Sequence, residues 1–414
     1  MSIPKPLPYI AAFEEMGLGM FVHWGLYSQL GMGEWTYYIH KRDKAEYQSL
    51  TKTFTACDFN AEEWVLTAKA AGCKYITLTT RHHDGFSLYD TCGLTDFDAV
   101  HSAAGRDLVR EFVDACRKHD IMPVFYHTTL DWTHPDYTEN FDAYLEYLRK
   151  SVETLCKNYG KIGGLWFDGN WSKPKEAWRE DELYATIRKY QPEALIIDNT
   201  GLNRRGEIGH PELDSVTYEQ GRPEPMDREG MPKYLAAEMC HTINDHWGIG
   251  HNDFNYHSPA SIIEHLCACR RVGANYLLNI GPRAQGALEP IQRELLLILG
   301  RWMKIYGEAI YGGRPYPTTC EAFPKNFVLR GDGCLYFFVH DLGRHGNKNV
   351  TVGGRYVGDI AFAGVTDEIA AIEWMDNGEP LEFSQADGVF TANFTGYPYG
   401  TSTCVRVAKA TIKK

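Results

Sequence analysis

Asp168 closes the apolar run Gly164-Leu165-Trp166-Phe167 and is followed by Gly169. Trp166 lies two residues back, on the same side if the run is a strand. A carboxylate at the end of a short buried strand suits a nucleophile or an acid–base group. The plainer reading is an Asp that caps the next element. Two glutamates could pair with it. Glu219, in Tyr218-Glu219-Gln220-Gly221-Arg222-Pro223, follows Asp168 by 51 residues, and Glu238, in Ala237-Glu238-Met239-Cys240, by 70. Cleavage of a glycosidic bond needs two such groups, one ionised and one kept protonated by its surroundings. A lone Glu is more often a solvated surface residue.

His82 and His83 follow the β-rich run 75–80, and His23 ends the run 19–23. Imidazole donates at one nitrogen and accepts at the other, which suits hydrogen bonding to a polar substrate. A buried structural role is the ordinary alternative. A third reading is a metal site on His82, His83 and His251. Adjacent strand residues point to opposite sides, so both neighbours could not easily chelate one ion, and such a site would need carboxylate support.

These residues sit at the ends of regularly alternating elements. Apolar β-rich runs at 19–23, 75–80, 122–127, 164–168, 195–199 and 275–280 alternate with helical patterns at 61–71, 107–118, 140–158, 175–190, 259–272 and 288–306. Residues 234–240 read as a further strand, although their composition also permits helix. The alternation predicts a parallel sheet covered by helices. No G-x-G-x-x-G follows the first strand, which weakens a dinucleotide-binding open sheet. Polar and aromatic residues follow several strands, at His23-Trp24, 81–84, His127 and 168–170. Only a closed barrel brings so many strand ends to one mouth. The expected fold is α/β: a TIM-like (β/α)8 barrel over residues 1–312. From 313 to 414, short β runs such as 326–330, 334–340, 349–352, 370–375 and 402–408 are separated by Gly, Asp and Asn. That texture predicts a β-sandwich domain.

Composition bounds the function. The chain has 414 residues and a net charge of −12, which argues against nucleic acid as a partner. No run approaches the ~18–20 apolar residues of a membrane span. The start, Met1-Ser2-Ile3-Pro4-Lys5-Pro6, lacks the basic-then-apolar pattern of a secretory signal. The 11 cysteines include no C-x-x-C, and scattered thiols suit a reducing, cytoplasmic setting. Aromatic residues make up 13%, with 10 Trp and 25 Tyr. They could fill a large core or stack on a ligand.

Seven segments, in order, resemble the α-L-fucosidases of glycoside hydrolase family 29. Residues 19–28 (GMFVHWGLYS) resemble the opening G-x-F-x-H-W-G-x-Y-S, and Glu34-Trp35 resembles the E-W pair. Residues 81–86 (RHHDGF) resemble K-H-H-D-G-F with Arg for Lys. Residues 105–109 (GRDLV) resemble a helix start, and 165–169 (LWFDG) the nucleophile strand. Residues 275–282 (NYLLNIGP) and 307–311 (GEAIY) complete the series.

The resemblance implies a retaining exo-glycosidase with no cofactor and no metal. Its substrate would be a fucosylated oligosaccharide or glycoside; homo-oligomerisation is left open. Asp168 would be the nucleophile. Glu219 would be the acid/base, with Glu238 as second choice. His23, Glu34, His82, His83 and Trp166 would line the sugar, together with Tyr126 and His127. Trp35 and Trp247, with Trp24 beside His23, would supply stacking surface. Two departures stand out. The N-D-R-W after strand five becomes Asp198-Asn199-Thr200-Gly201, which leaves Arg204 or Arg205 to replace an arginine. Tyr-Tyr-Ser becomes Tyr126-His127-Thr128. These departures keep two alternatives in view: a hydrolase for a related sugar such as an α-L-galactoside, or a catalytically weak carbohydrate-binding protein.

Overall fold

The computed structural model describes residues 2–200, 205–344 and 357–413. The chain divides into two compact units. The first, residues 1–257 and 275–297, holds a closed barrel of eight parallel strands in chain order. They are β1 (Leu18–Val22), β2 (Tyr75–Arg81), β3 (Met122–Thr128), β4 (Gly164–Asp168), β5 (Leu195–Asn199), β6 (Ser215–Thr217), β7 (Ala236–Thr242) and β8 (Asn275–Ile280). The barrel closes where β1 pairs with β8, Met20 opposite Leu278.

The strands are almost wholly buried, as parallel strands covered by helices must be. Alternation sends Phe21, Tyr75, Val124, Tyr126, Trp166, Leu195, Ile197, Ala236, Cys240 and Leu277 into the barrel interior. The intervening residues face the helices. Local sequence starts those helices cleanly. Asn60, Asp107 and Asn140 each accept a backbone N–H three residues on, from Glu63, Arg110 and Ala143. Helix Leu108–Lys118 buries Leu108, Val109, Phe112, Val113 and Cys116 in one stripe.

Residues 236–242 form the further strand expected at 234–240, but as the seventh rather than the sixth, because one strand before it was not anticipated. The sixth, β6, has three residues and so no alternation to reveal it. Among the described residues no helix is long and apolar enough to cross a membrane.

The second unit comprises residues 258–274 and 298–414. A five-stranded antiparallel sheet runs β13-β16-β11-β10-β9, and a three-stranded one β12-β15-β14. The strands are β9 (Arg314–Tyr316), β10 (Phe327–Gly331), β11 (Cys334–His340), β12 (Gly358–Ala363), β13 (Ile369–Trp374), β14 (Phe383–Ala386), β15 (Val389–Phe394) and β16 (Val405–Ile412). Both sheets contribute to one core, with Phe337 and Trp374 from one and Phe362, Phe390 and Phe394 from the other. This is the expected sandwich; the proposed run 349–352 lies outside the described residues. The boundary expected at 312 differs from the compact units. Helix Pro259–Arg271 packs on β9, β10 and β16, where Arg271 donates to Pro324 O at 2.7 Å. Helix Pro290–Gly312 is divided between the units near residue 297.

Gly164 opens the strand that carries Asp168. A Cβ there would stand 2.7 Å from Leu195 O and 2.8 Å from Leu195 Cβ of β5, and the backbone oxygen cannot step aside. Gly164→Ala should cost about 1–3 kcal/mol, read as a lower urea midpoint. An unchanged midpoint would show that β4 and β5 tolerate a wider spacing.

Candidate active site

A cavity of about 240 Å³ opens at the C-terminal ends of the barrel strands, where barrel folds place reactive groups. Its lining includes His23, Trp35, His82, Tyr126, Trp166, Asp168, Glu219 and Trp247, all singled out from the sequence, and also Phe21, Trp171, Asn199 and Cys240. Drug-sized ligands occupy roughly 300–1,000 Å³, so this space suits a single sugar ring.

Asp168 continues the inward parity of Trp166 on β4. Its Oδ2 accepts from Tyr126 OH at 3.0 Å and lies 3.4 Å from His83 Nε2. Its Oδ1 accepts from Trp171 Nε1 at 2.9 Å and Asn199 Nδ2 at 3.3 Å. Burial pushes the pKa up, but contacts from His83, Trp171 and Tyr126 outweigh it and hold the group below the ordinary Asp range. The carboxylate is therefore ionised at neutral pH.

Glu219 follows β6, and the pairing with β7 continues past the strand end. Tyr218 N donates to Glu238 O and Gln220 N to Cys240 O, both at 2.9 Å. Gln220 takes φ 51°, a left-handed conformation unusual for this residue type. Between these two anchors the Glu219 side chain turns into the cavity. Its Oε2 accepts from Asn199 Nδ2 at 2.7 Å. Burial, then the charge of Asp168, push its pKa up to about 7.

Glu238 stands apart from this pair. It is sealed in the barrel interior at 0% exposure and is not among the cavity residues. Its carboxylate accepts from Tyr75 OH and, at 3.0 Å, from Trp166 Nε1. Burial pushes its pKa up to about 7 as well, so pKa does not separate the two glutamates. Access to the cavity does, and it selects Glu219.

The imidazoles divide by role. His23 Nδ1 lies 2.7 Å from Asn279 Oδ1, while Asn279 Nδ2 donates to Trp247 O at 2.7 Å. Nδ1 is therefore the donor, and Nε2 is left as an acceptor for a hydroxyl. Burial lowers the His23 pKa to about 3, which keeps the ring neutral. His82 stacks on Tyr126 at 5.5 Å and 12°, and burial holds its pKa well below the usual value. His83 Nδ1 lies 2.6 Å from Thr128 Oγ1, and its Nε2 faces Asp168 Oδ2. His82 and His83 lie close together, ring centroids 4.3 Å apart. β2 has already ended at Arg81, so strand alternation no longer separates them.

Several expected residues lie elsewhere. His127 points outward, since its neighbour Tyr126 points inward. It meets Ser151 Oγ at 2.8 Å, and burial lowers its pKa to about 3. Trp24 is 1% exposed, packs among Phe54, Phe59 and Trp64, and donates to Arg283 O at 3.0 Å, so it offers no stacking face. Glu34 lies outside the cavity lining; it accepts from Gly248 N at 2.8 Å and so holds the loop that carries Trp247. Arg205 is exposed and lies along Gly221; its charge lowers the Glu219 pKa. Arg204 lies outside the described residues. His251 sits over Gly31 rather than beside His82 and His83. Among the described residues no three His, Cys, Asp or Glu side chains are grouped to hold a metal ion.

The model of the alpha-L-fucosidase family matches residues 4–308. The chain belongs to the α-L-fucosidase family. It is 30% identical to the tissue alpha-L-fucosidase of Bos taurus over 364 residues, 81% of this chain and 75% of that protein. It is 30% identical to the tissue alpha-L-fucosidase of Homo sapiens over 369 residues, 81% of this chain and 76% of that protein. Among solved structures, it is similar to alpha-L-fucosidase isoenzyme 1 from Paenibacillus thiaminolyticus, with 30% identity and a TM-score of 0.84 over 98% of this chain and 99% of that one. As a member of this family the protein is a glycoside hydrolase.

Four cavity residues escaped the sequence reading. Phe21 and Cys240 follow from inward parity alone, being two residues from His23 and Glu238. Asn199 shares the parity of Ile197 on β5, which places it on the inward face. Trp171 sits on a one-turn helix, Asn170–Ser172, after the left-handed Gly169. Its nearness to Asp168 in sequence was the available signal.

Trp171→Phe keeps the ring and removes one donor from Asp168 Oδ1. The Asp168 pKa should rise, seen as a later midpoint when its carboxyl ¹³C signal is titrated. A fixed midpoint would show that the indole N–H does not stabilise the anion.

Proposed function

We propose that the protein hydrolyses terminal α-L-fucosides with retention of configuration, with Asp168 as nucleophile and Glu219 as acid/base. One observation carries this reading: a single atom, Asn199 Nδ2, touches both carboxylates, at 3.3 Å and 2.7 Å. The two oxygens can be no farther apart than the sum of these contacts. That close approach accords with the ~5–5.5 Å spacing of a retaining pair. The environments also divide the roles, with an ionised Asp168 beside a Glu219 poised near neutrality.

The steps follow from that division. Asp168 attacks the anomeric carbon as the glycosidic C–O bond breaks, and Glu219 gives its proton to the departing oxygen. Glu219, now ionised, takes a proton from water. That water attacks the same carbon and releases Asp168 and the free sugar. The neutral His23 accepts from a sugar hydroxyl at Nε2. Phe21, Trp166, Cys240 and Trp247 form an apolar wall that suits a methyl group better than a hydroxymethyl. A hydroxyl buried there without a partner would cost about 1–3 kcal/mol, which favours the fucoside over the α-L-galactoside.

Turnover requires Asp168 ionised and Glu219 protonated. For an aryl α-L-fucoside, kcat/KM should therefore fall on the alkaline side near pH 7, and on the acid side below the ordinary Asp range. Incubation with 2-fluoro-α-L-fucosyl fluoride should leave one covalent fucosyl group on the peptide carrying Asp168. Azide should rescue Glu219→Ala with a fucosyl azide of retained configuration and Asp168→Ala with one of inverted configuration, whereas Glu238→Gln should keep turnover within about tenfold. A label on any other carboxylate, or azide rescue at position 238, would overturn the assignment.

A further inference from the structure

We propose that Asn199 is a positioning residue: its amide clamps the nucleophile to the acid/base and fixes which oxygen of Glu219 carries the proton. The proposal rests on the roles given above to Asp168 and Glu219. Asn199 stands where the resembled motif has an acidic residue, and the following arginine is Thr200.

The geometry supports the clamp at each atom. Asn199 is 2% exposed at the end of β5. Thr217 Oγ1 of β6 donates to Asn199 Oδ1 at 3.0 Å. This bond sets the amide orientation, since a flipped amide would turn its oxygen toward two carboxylates. Correctly turned, the NH2 has two hydrogens, one for Asp168 Oδ1 and one for Glu219 Oε2. In a carboxylic acid the carbonyl oxygen is the better acceptor, so with the N–H on Oε2 the acidic proton of Glu219 belongs on Oε1. One neutral group thus binds both halves of the pair and adds no charge to either.

Other groups act on the same carboxylates. Around Asp168 these are His83 of the loop after β2, Tyr126 of β3, His23 after β1, Asp198 of β5 and Cys240 of β7. Around Glu219 they are Asp168 of β4, Glu34 of the loop after β1, Arg205 of the loop after β5, Cys240 of β7 and Tyr126. Every one of them remains when Asn199 is truncated, so a change in the variant reports the amide itself. Loss of the N–H from Asp168 raises the nucleophile's pKa, and loss of the N–H from Glu219 raises that of the acid. Both limbs of the pH profile therefore move to higher pH. A residue with a merely structural role would lower the rate and leave the limbs in place.

The test compares pH profiles of kcat/KM on an aryl α-L-fucoside for the wild type, Asn199→Ala and Thr217→Val. Asn199→Ala should lose about 10- to 100-fold, as expected for hydrogen bonds to charged groups, with both limbs displaced upward. Thr217→Val, which leaves Asn199 in place but frees its orientation, should show a smaller displacement of the same sign. It also covers the case in which Asn199→Ala does not fold. Limbs that coincide with the wild type in a folded Asn199→Ala, or in Thr217→Val where Asn199→Ala does not fold, would overturn the clamp. A wild type that is inactive on the fucoside, or that remains active after Asp168→Ala, would instead overturn the catalytic reading on which it rests.

Discussion

Two carboxylates in one small cavity cannot both be ionised cheaply. At ~5 Å and an effective dielectric of ~20 their repulsion is about 3 kcal/mol, or roughly two pKa units. Which of the two keeps the proton is decided by the donors around each. Asp168 is met by Tyr126, His83, Trp171 and Asn199. Glu219 has the Asn199 amide and the more distant charge of Arg205. The asymmetry falls on the Asp168 side, so the anion settles there and the proton on Glu219.

The barrel makes that asymmetry possible. Tyr126, Asp168 and Asn199 come from three consecutive strands whose parallel registers place Tyr126 opposite Trp166 and Asp168 opposite Asn199. Inward parity brings all three side chains to one face. Trp171 and His83 come from loops that begin where β4 and β2 end, so loop residues complete what the strands begin. No single segment of sequence contains the site.

Much of this was legible in the sequence. The alternation of β runs and helical stripes predicted the barrel, because buried parallel strands are short, apolar and regularly spaced. Asp168 stood out because a charged residue ended such a strand. What escaped was set by pairing rather than pattern. The three-residue β6 exists because Ser215, Val216 and Thr217 lie beside Ala236, Ala237 and Glu238, and no local periodicity marks it. Asn199 is an ordinary amide until Thr217 fixes its orientation. His127 has a polar neighbourhood that suggests a site residue, although the inward parity of Tyr126 excludes it from the cavity. For Trp24, proximity in sequence to His23 says nothing of the pocket formed by Phe54, Phe59 and Trp64.

Glu238 shows why the core beneath the cavity cannot be treated as inert filling. A carboxyl group at 0% exposure is costly to bury, and an apolar side chain would avoid that cost. Such a replacement would remove the acceptor for the Trp166 indole N–H, a loss of about 1–3 kcal/mol for a buried donor. It would also free the indole to rotate. Trp166 stacks on Tyr126 at 5.5 Å and 21°, and the Tyr126 hydroxyl is one of the donors to Asp168. The orientation of the indole therefore reaches the nucleophile through two contacts. Glu238 thus fixes by hydrogen bonding the ring against which the Tyr126 donor packs.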